Sequence, residues 1–360
     1  MKVLILDDLE GASGAGDYRL LIPAGPIYQT ACENLTEDIN AAVRGLRSAG
    51  AAEIDVVDSH STVWPGRTGP RNIVKDKLDP CVGKTMSGWE MLMLTRGEQD
   101  MLRSYDAQVI VGEHAMAGTH DGFVSHTHSD NTALKINGQY IGEVEWHTWL
   151  LGYYGVPTIM VTGDAATIRE TKAFFPEIEG VCVKTAKSRD SAQCLPTDES
   201  RVLIEATASK ALKGLAMFEP RVPRSPIELD LIFTTPEPTK FASYMPGARQ
   251  PDDTTVSFTA RDFLEAVWAH MSLVMLGAIH SSSQDFDRLW TNLPQSARKE
   301  FNDECEKRVH EWAGGIRLFP TQDCPDECPR ADAPSAHGLT AFLVRLRSRS
   351  CPRYPAYSIR

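Results

Sequence analysis

Residues 28–58, YQTACENLTEDINAAVRGLRSAGAAEIDVVD, carry a helical pattern followed closely by a strand-like run. The apolar residues that recur at helical spacing on one face are Leu35, Ile39, Ala42, Val43 and Leu46. Gly50 follows them at the position where glycine commonly ends a helix. The aliphatic run EIDVV then ends at Asp58. This stretch therefore predicts a helix and a buried strand in succession, which is the repeating unit of an α/β fold.

Three further aliphatic runs, all typical of buried strands, alternate with helical stretches along the first half of the chain. They are KVLIL (2–6), AQVIVG (107–112) and PTIMVTG (157–163). Strands that alternate with helices indicate a parallel sheet covered on both faces. We therefore predict an α/β fold with a mainly parallel sheet flanked by helices, in a Rossmann-like three-layer arrangement.

The pattern changes after about residue 200, where two helical stretches enclose two strand-like runs. The helical stretches are ESRVLIEATASKALKGLAMF (199–218) and RDFLEAVWAHMSLVMLGAI (261–279), and the strand-like runs are IELDLIF (227–233) and TTVSFTA (254–260). We predict an α/β catalytic domain that binds metal over residues 1–185 and a smaller α+β domain over 186–280. Residues 281–360 are predicted to form a C-terminal extension, with one helix over 295–315 and then a flexible tail.

Composition and charge exclude several classes of partner. A formal net charge of −11 argues against nucleic acid and anionic membranes. The longest uncharged run, TWLLGYYGVPTIMVTG (148–163), contains three glycines and a proline, which favours a helix end, a turn and a strand over a membrane span. Eight cysteines in 360 residues do not indicate a disulfide framework. The motif CPDEC (324–328) has no second half of a zinc site. We expect a cytoplasmic protein.

Four of the ten histidines fall in one short stretch, GEHAMAGTHDGFVSHTHSDN (112–131). They are His114, His120, His126 and His128. By itself this stretch is compatible with a metal site, with proton transfer or with a solvated polar loop.

The ends of the predicted strands favour the metal site. Asp8 and Glu10 follow the first strand, His60 the second, His114 the third and Asp164 the fourth. Because the carboxyl ends of parallel strands meet at one edge of a sheet, we expect these potential ligands to converge there. The alternation of an extended chain also places Asp8 and Glu10 on the same side.

Carboxylates and imidazoles of this kind suit a pair of zinc ions. Two divalent cations carry four positive charges, of which the carboxylates of Asp8, Glu10 and Glu143 offset three. Paired metal ions polarise a carbonyl and generate hydroxide at neutral pH, and mixed carboxylate and imidazole ligands are typical of zinc. The residues therefore predict a dinuclear hydrolase.

The motifs also resemble a known family, the zinc-dependent D-aminopeptidases encoded with bacterial dipeptide-transport genes. The similar segments, in order over roughly residues 1–280, are DLEGASG (8–14), VVDSHS (56–61), GEHAMAG (112–118), GFVSHT (122–127), INGQYIGEVE (136–145), GYYGVPTIMVTGD (152–164) and MPGARQPDDTTVSFTARDFLEA (245–266).

The resemblance implies a role for particular residues. Its metal ligands, for two Zn²⁺ per subunit, correspond to Asp8, Glu10, His60, His114 and Glu143. Its catalytic histidine, a nucleophile, corresponds to His126, although chemistry alone equally allows a general base or an oxyanion-stabilising donor. His120 and His128 receive no role, and His147 is interpreted as structural. The resemblance further implies a homo-oligomer of stacked rings.

We therefore expect a dinuclear zinc hydrolase that cleaves amide bonds of small peptides and favours an N-terminal D-amino acid. The first alternative is a dizinc amidase that acts on a non-peptide or biosynthetic amide. The second is a non-catalytic protein that binds peptides or serves in assembly, against which the retention of every presumed ligand argues.

Overall fold

The computed structural model describes residues 1–23, 25, 27–63 and 65–292, and additionally residues 295, 296, 298, 299 and 303. Residues Met1–Thr291 form one compact unit. Most of the predicted helix over 295–315, the tail after it and the CPDEC motif lie outside the described residues.

Within the described residues, strands and helices alternate as the sequence predicts. The strands are β1 (Lys2–Asp7), β2 (Glu53–Asp58), β3 (Val82–Ser87), β4 (Ala107–Glu113), β5 (Thr132–Ile136), β6 (Gln139–Ile141), β7 (Thr158–Asp164), β8 (Glu179–Ser188), β9 (Ser191–Cys194), β10 (Ile227–Phe233) and β11 (Thr255–Ala260). The helices are α1 (Tyr28–Ser48), α2 (Gly88–Gly97), α3 (Gln99–Arg103), α4 (Glu143–Tyr153), α5 (Ala165–Phe174), α6 (Thr197–Lys213), α7 (Pro236–Ala242) and α8 (Phe263–Asn292).

The larger sheet has the strand order β3-β2-β1-β4-β7-β8-β9, and all its pairs are parallel except β8 with β9. The chain runs outward from β1 through β2 to β3 on one side and from β4 through β7 to β8 on the other. The gap between the ends of β1 and β4 is therefore the topological switch point, where α/β sheets bind ligands. The predicted fold class is confirmed.

The two faces of the large sheet carry separate hydrophobic cores. Val3 and Ile5 belong to one core, together with Leu35 and Ile39 of α1, whereas Leu4 and Leu6 belong to the other. Helix α6 packs beside α1 on the first face. The second core contains residues of α2, α4 and α8. Alternate residues of β1 thus cover opposite faces, which is the three-layer arrangement expected of a buried parallel strand.

The smaller sheet is antiparallel, with the order β11-β10-β5-β6. It combines residues 132–141 with residues 227–260, which lie on opposite sides of the predicted boundary at 185. The division of the chain into two domains at residue 185 therefore stays a prediction. Among the described helices, none has the length and apolar content that a bilayer crossing requires.

Candidate metal centre

The loops after β1 and β4 meet closely at the switch point. The Asp8 amide donates to the Val111 carbonyl at 2.8 Å, and the Gly11 amide donates to the Gly112 carbonyl at 2.6 Å. A Cβ atom added at Gly11 would lie 2.0 Å from the carbonyl oxygen of Glu113. Only glycine therefore allows this approach, which brings the carboxylates after β1 beside the histidine after β4.

The first group of side chains consists of Asp8, Glu10 and His60. The His60 Nδ1 atom lies 3.1 Å from Asp8 Oδ1 and 2.8 Å from Glu10 Oε2. Asn72 holds the His60 loop, because its side-chain amide donates to Asp58 Oδ1 and to the His60 carbonyl. Asp8 and Glu10 therefore face the same side, as the alternation of an extended chain predicts.

The second group consists of His114 and Glu143. The His114 Nδ1 atom is 3.0 Å from the Ala115 carbonyl and donates to it, which leaves Nε2 as the nitrogen available to a metal ion. His114 Nε2 lies 3.3 Å from Glu143 Oε1 and 3.7 Å from Asp8 Oδ2. Glu143 begins α4, and its Oε1 atom accepts a hydrogen bond of 2.8 Å from the His128 amide.

Asp8 joins the two groups, because its Oδ1 atom faces His60 and its Oδ2 atom faces His114. All five predicted ligands therefore lie in one continuous cluster. Two ligands that share a tetrahedral zinc ion, each about 2.0–2.1 Å from it, stand roughly 3.4 Å apart. The spacing of His114 and Glu143 fits that value, and the buried His114 Nε2 atom has no hydrogen-bond partner among the described residues. The donor set therefore fits zinc.

The cluster concentrates negative charge in a buried place. Burial, and then the neighbouring Glu10, raise the pKa of Asp8 well above its ordinary value. Burial, and then Asp8, do the same for the pKa of Glu113. Burial also tends to raise the pKa of Glu143, but the neighbouring imidazoles of His128 and His114 bring that pKa well below its ordinary value. Carboxylates crowded in this way are stabilised by cations, since each would otherwise bear both desolvation and mutual repulsion.

His126 lies beside this cluster. Its Nδ1 atom is 2.8 Å from the Val124 carbonyl, and its ring stacks on that of His114 with centroids 4.0 Å apart. The Nε2 atom is consequently directed to the cluster and lies 3.8 Å from Glu143 Oε1. Val124 has φ 49°, a left-handed conformation that strains a β-branched residue. The strained turn fixes which His126 nitrogen reaches the site, while its catalytic role stays a prediction.

Asp164, expected among the potential ligands, does not reach the cluster. Its Oδ2 atom accepts a hydrogen bond of 2.6 Å from the Phe123 amide, and its Oδ1 atom accepts from the Thr167 amide at 2.8 Å. Through the second of these hydrogen bonds Asp164 caps the start of α5, as an aspartate at the N-cap commonly does. Through the first it holds the segment that carries His126.

A cavity of about 490 Å³ opens at the cluster. Asp8, Glu10, His60, His126 and Glu143 are among the residues that line it. His120, which received no role, is exposed at the surface. Its side chain therefore offers a control for experiments on the other histidines.

Three histidines without a predicted binding role also line this cavity: His128, His147 and His270. His147 is buried, and its Nε2 atom lies 3.9 Å from the Oε1 atom of Glu113. Its interpretation as a structural residue stays a prediction. His270 comes from α8, where it follows Val267 by three residues. Because a histidine on the apolar side of a helix is typical of a packed core, no sequence pattern assigned it a role.

A doubly wound sheet with a carboxylate–histidine cluster at its switch point is an arrangement that suits a metal-dependent hydrolase. The chain belongs to the D-aminopeptidase family Peptidase M55, whose sequence model matches residues 1–272. The predicted family is therefore confirmed.

Two comparisons with individual proteins agree with that membership. The chain is 29% identical to a D-aminopeptidase of Bacillus subtilis (strain 168) over 279 residues, which are 77% of this chain and 97% of the relative. The solved structure of the Zn-dependent D-aminopeptidase DppA from Bacillus subtilis, described as a self-compartmentalizing protease, aligns with a TM-score of 0.70 and 27% identity. That alignment covers 77% of this chain and 98% of DppA.

Proposed function

We propose that this protein is a dinuclear zinc hydrolase that removes the N-terminal D-amino acid from small peptides. Asp8, Glu10, His60, His114 and Glu143 would hold the two ions, with Asp8 as the shared ligand. The observation that carries the proposal is the position of Asp8, whose two oxygens face the two ligand groups in a member of the D-aminopeptidase family.

Zinc bound in such a site supplies Lewis-acid polarisation of the scissile carbonyl and a lowered pKa for water. The protein's own groups supply position and proton transfer. The Ala115 carbonyl sets the tautomer of His114, and the His128 amide orients Glu143. These contacts keep the ligand atoms directed at the cluster before any substrate arrives.

His126 is the group we assign to chemistry on the substrate. Its Nδ1 proton is held by the Val124 carbonyl, which leaves Nε2 able to accept a proton or to attack a carbonyl carbon. The family resemblance favours attack, and the geometry serves either role. Both roles require Nε2 to face the substrate without being a permanent metal ligand.

A second candidate function, hydrolysis of a different amide, is favoured by the entrance to the cavity. Tyr18 and Ile22 line the cavity and are 46% and 47% exposed. They belong to the segment 17–29, DYRLLIPAGPIYQ, whose apolar content would suit a substrate other than a peptide. The same metal centre would then serve a non-peptide amide.

We also propose a cytoplasmic homo-oligomer that binds neither nucleic acid nor membrane. The support is the similarity to DppA, which is described as self-compartmentalizing, and the net charge of −11. Light scattering on the full chain measures the assembly directly, and a monomer at micromolar concentration would contradict it.

The activity is tested with matched D- and L-aminoacyl amides and dipeptides, with and without a chelator. We expect hydrolysis of D-isomers that the chelator abolishes and added zinc restores. His114→Ala should lose both zinc and rate, whereas His120→Ala, in the same loop but exposed, should keep both. Hydrolysis of a non-peptide amide alone would favour the second candidate, and no bound zinc would contradict both.

A further inference from the structure

The cavity at the metal centre has an open end and a closed end. The open end is bordered by Tyr18, Ile22 and Pro23, which are exposed. The closed end is built by four apolar side chains from three helices, all lining the cavity and each at most 6% exposed. They are Met91 and Leu92 of α2, Leu150 of α4 and Val267 of α8.

Aromatic rings complete the closed end. His270 is 2% exposed, and its ring lies 4.5 Å from that of His128 and 4.8 Å from that of Trp146, between centroids. Neither nitrogen of His270 has a hydrogen-bond partner among the described residues. Burial lowers the pKa of His270 well below its ordinary value, so the ring is neutral. The closed end therefore presents mainly apolar and aromatic surface and one neutral imidazole, without charge.

The direction in which a substrate must lie follows from the proposed function, on which this inference rests. An enzyme that removes the first residue of a peptide needs room beyond the metal ions for that residue alone. The rest of the peptide must leave through the open end. The first side chain is thus the part that reaches the closed end.

We propose that the closed end is the pocket for the side chain of the substrate's first residue, and that it takes a large uncharged side chain, aromatic or branched aliphatic. A substrate whose first side chain is only a methyl group would leave the walls formed by Leu150 and Val267 without contact, and unfilled apolar surface contributes no binding energy. A charged side chain would lose its hydration there without a partner.

The test is a panel of D-aminoacyl amides of phenylalanine, leucine, alanine, lysine and glutamate, hydrolysed by the full zinc-loaded protein. We expect kcat/KM for the phenylalanine and leucine amides to exceed the other three by at least about tenfold, since each methylene in an apolar pocket contributes roughly 10–200-fold. A preference for alanine or for a charged side chain would overturn the assignment while leaving the proposed function intact. If no D-aminoacyl amide is cleaved, the proposed function fails and the pocket assignment fails with it.

A variant that fills the pocket locates the preference. Val267→Phe should lower the phenylalanine-to-alanine ratio of kcat/KM at least about tenfold, because the new ring occupies the space of the substrate ring. Ile279→Phe, on the same helix but 50% exposed, should leave the ratio unchanged. The ratio compares two substrates of one preparation, so partial misfolding cancels.

Met271 lines the same cavity at a less buried position. Met271→Phe is therefore the substitute if the Val267→Phe variant does not fold. An unchanged ratio in the folded filling variant would overturn the assignment.

Discussion

Lys184 holds the loop that carries Glu10, and its replacement by methionine tests how that loop is stabilised. The Lys184 Nζ atom donates to the carbonyls of Glu10, Ala12 and Ala15 at 2.5, 2.8 and 2.7 Å. The side chain is 1% exposed. Burial lowers the pKa of Lys184 to about 8, so it is mostly protonated at neutral pH and uses all three donors.

Methionine has a similar shape and no donor, so Lys184→Met leaves three buried carbonyls without this partner. Each lost hydrogen bond to the charged group lowers the free energy of unfolding by about 1.5–3 kcal/mol. The variant no longer has to desolvate a buried ammonium group, which offsets part of this loss. We expect the free energy of unfolding to fall by about 4 kcal/mol. Zinc affinity should fall by roughly 10–100-fold, the usual effect of losing a group that supports a ligand.

Urea unfolding of the metal-free protein gives the first quantity, and competition with a chromophoric chelator gives the second. Lys187→Met is the matched control, because Lys187 lies in the same strand β8 and is exposed. It should change the free energy of unfolding by less than about 0.5 kcal/mol. If the two variants unfold at the same urea concentration and bind zinc equally, Lys184 does not hold the Glu10 loop.

Three further predictions follow from individual sites. His126→Ala should keep its zinc and lose about two to four orders of magnitude in rate, and loss of zinc would make His126 a ligand instead. Burial raises the pKa of Asp38 from 3.8 to about 6. The protonated carboxyl group therefore contributes about 3 kcal/mol to the free energy of unfolding below about pH 4, and this contribution is lost as the pH rises through 6. Asp38→Asn should therefore gain stability relative to wild type between pH 4 and 7 in urea unfolding of the metal-free protein, and a constant difference would contradict the shift. A chain ending at Asn292, where α8 ends, should retain zinc and hydrolysis, and a folded chain without zinc would show that the extension completes the site.

The sequence predicted the central strands because each is an uninterrupted aliphatic run. β1, β2, β4 and β7 are buried along almost their whole length, which allows apolar residues on both faces. β3 was not predicted, since an edge strand with the sequence VGKTMS is half exposed and mixes polar with apolar residues. The pairing of β5 with β10 joins Ile136 to Leu229, a distance along the chain that local patterns do not reveal.

The site residues also divide into those that the sequence pattern predicted and those that it did not. Asp8, Glu10, His60 and His114 follow predicted strands whose carboxyl ends meet at one edge. Asp164 also follows such a strand but caps α5 instead, so topology finds the edge and not the ligand set. Glu143 begins a helix instead of following a strand, so the strand pattern does not place it at the sheet edge. Lys184 and His270 were missed because a lysine in a polar strand is typical of a surface, and a histidine on an apolar helical stripe is typical of a packed core.

The central proposal is that this cluster would hold two zinc ions and that the protein hydrolyses D-aminoacyl bonds with them. Its most direct test is the rate of D-aminoacyl hydrolysis while zinc is added stepwise to chelator-treated protein, with the L-isomer measured in parallel. The proposed function predicts no activity without metal, a maximum at two zinc ions per chain, and a clear preference for the D-isomer. Undiminished activity in the metal-free protein, a maximum at one ion, or a preference for the L-isomer would contradict it.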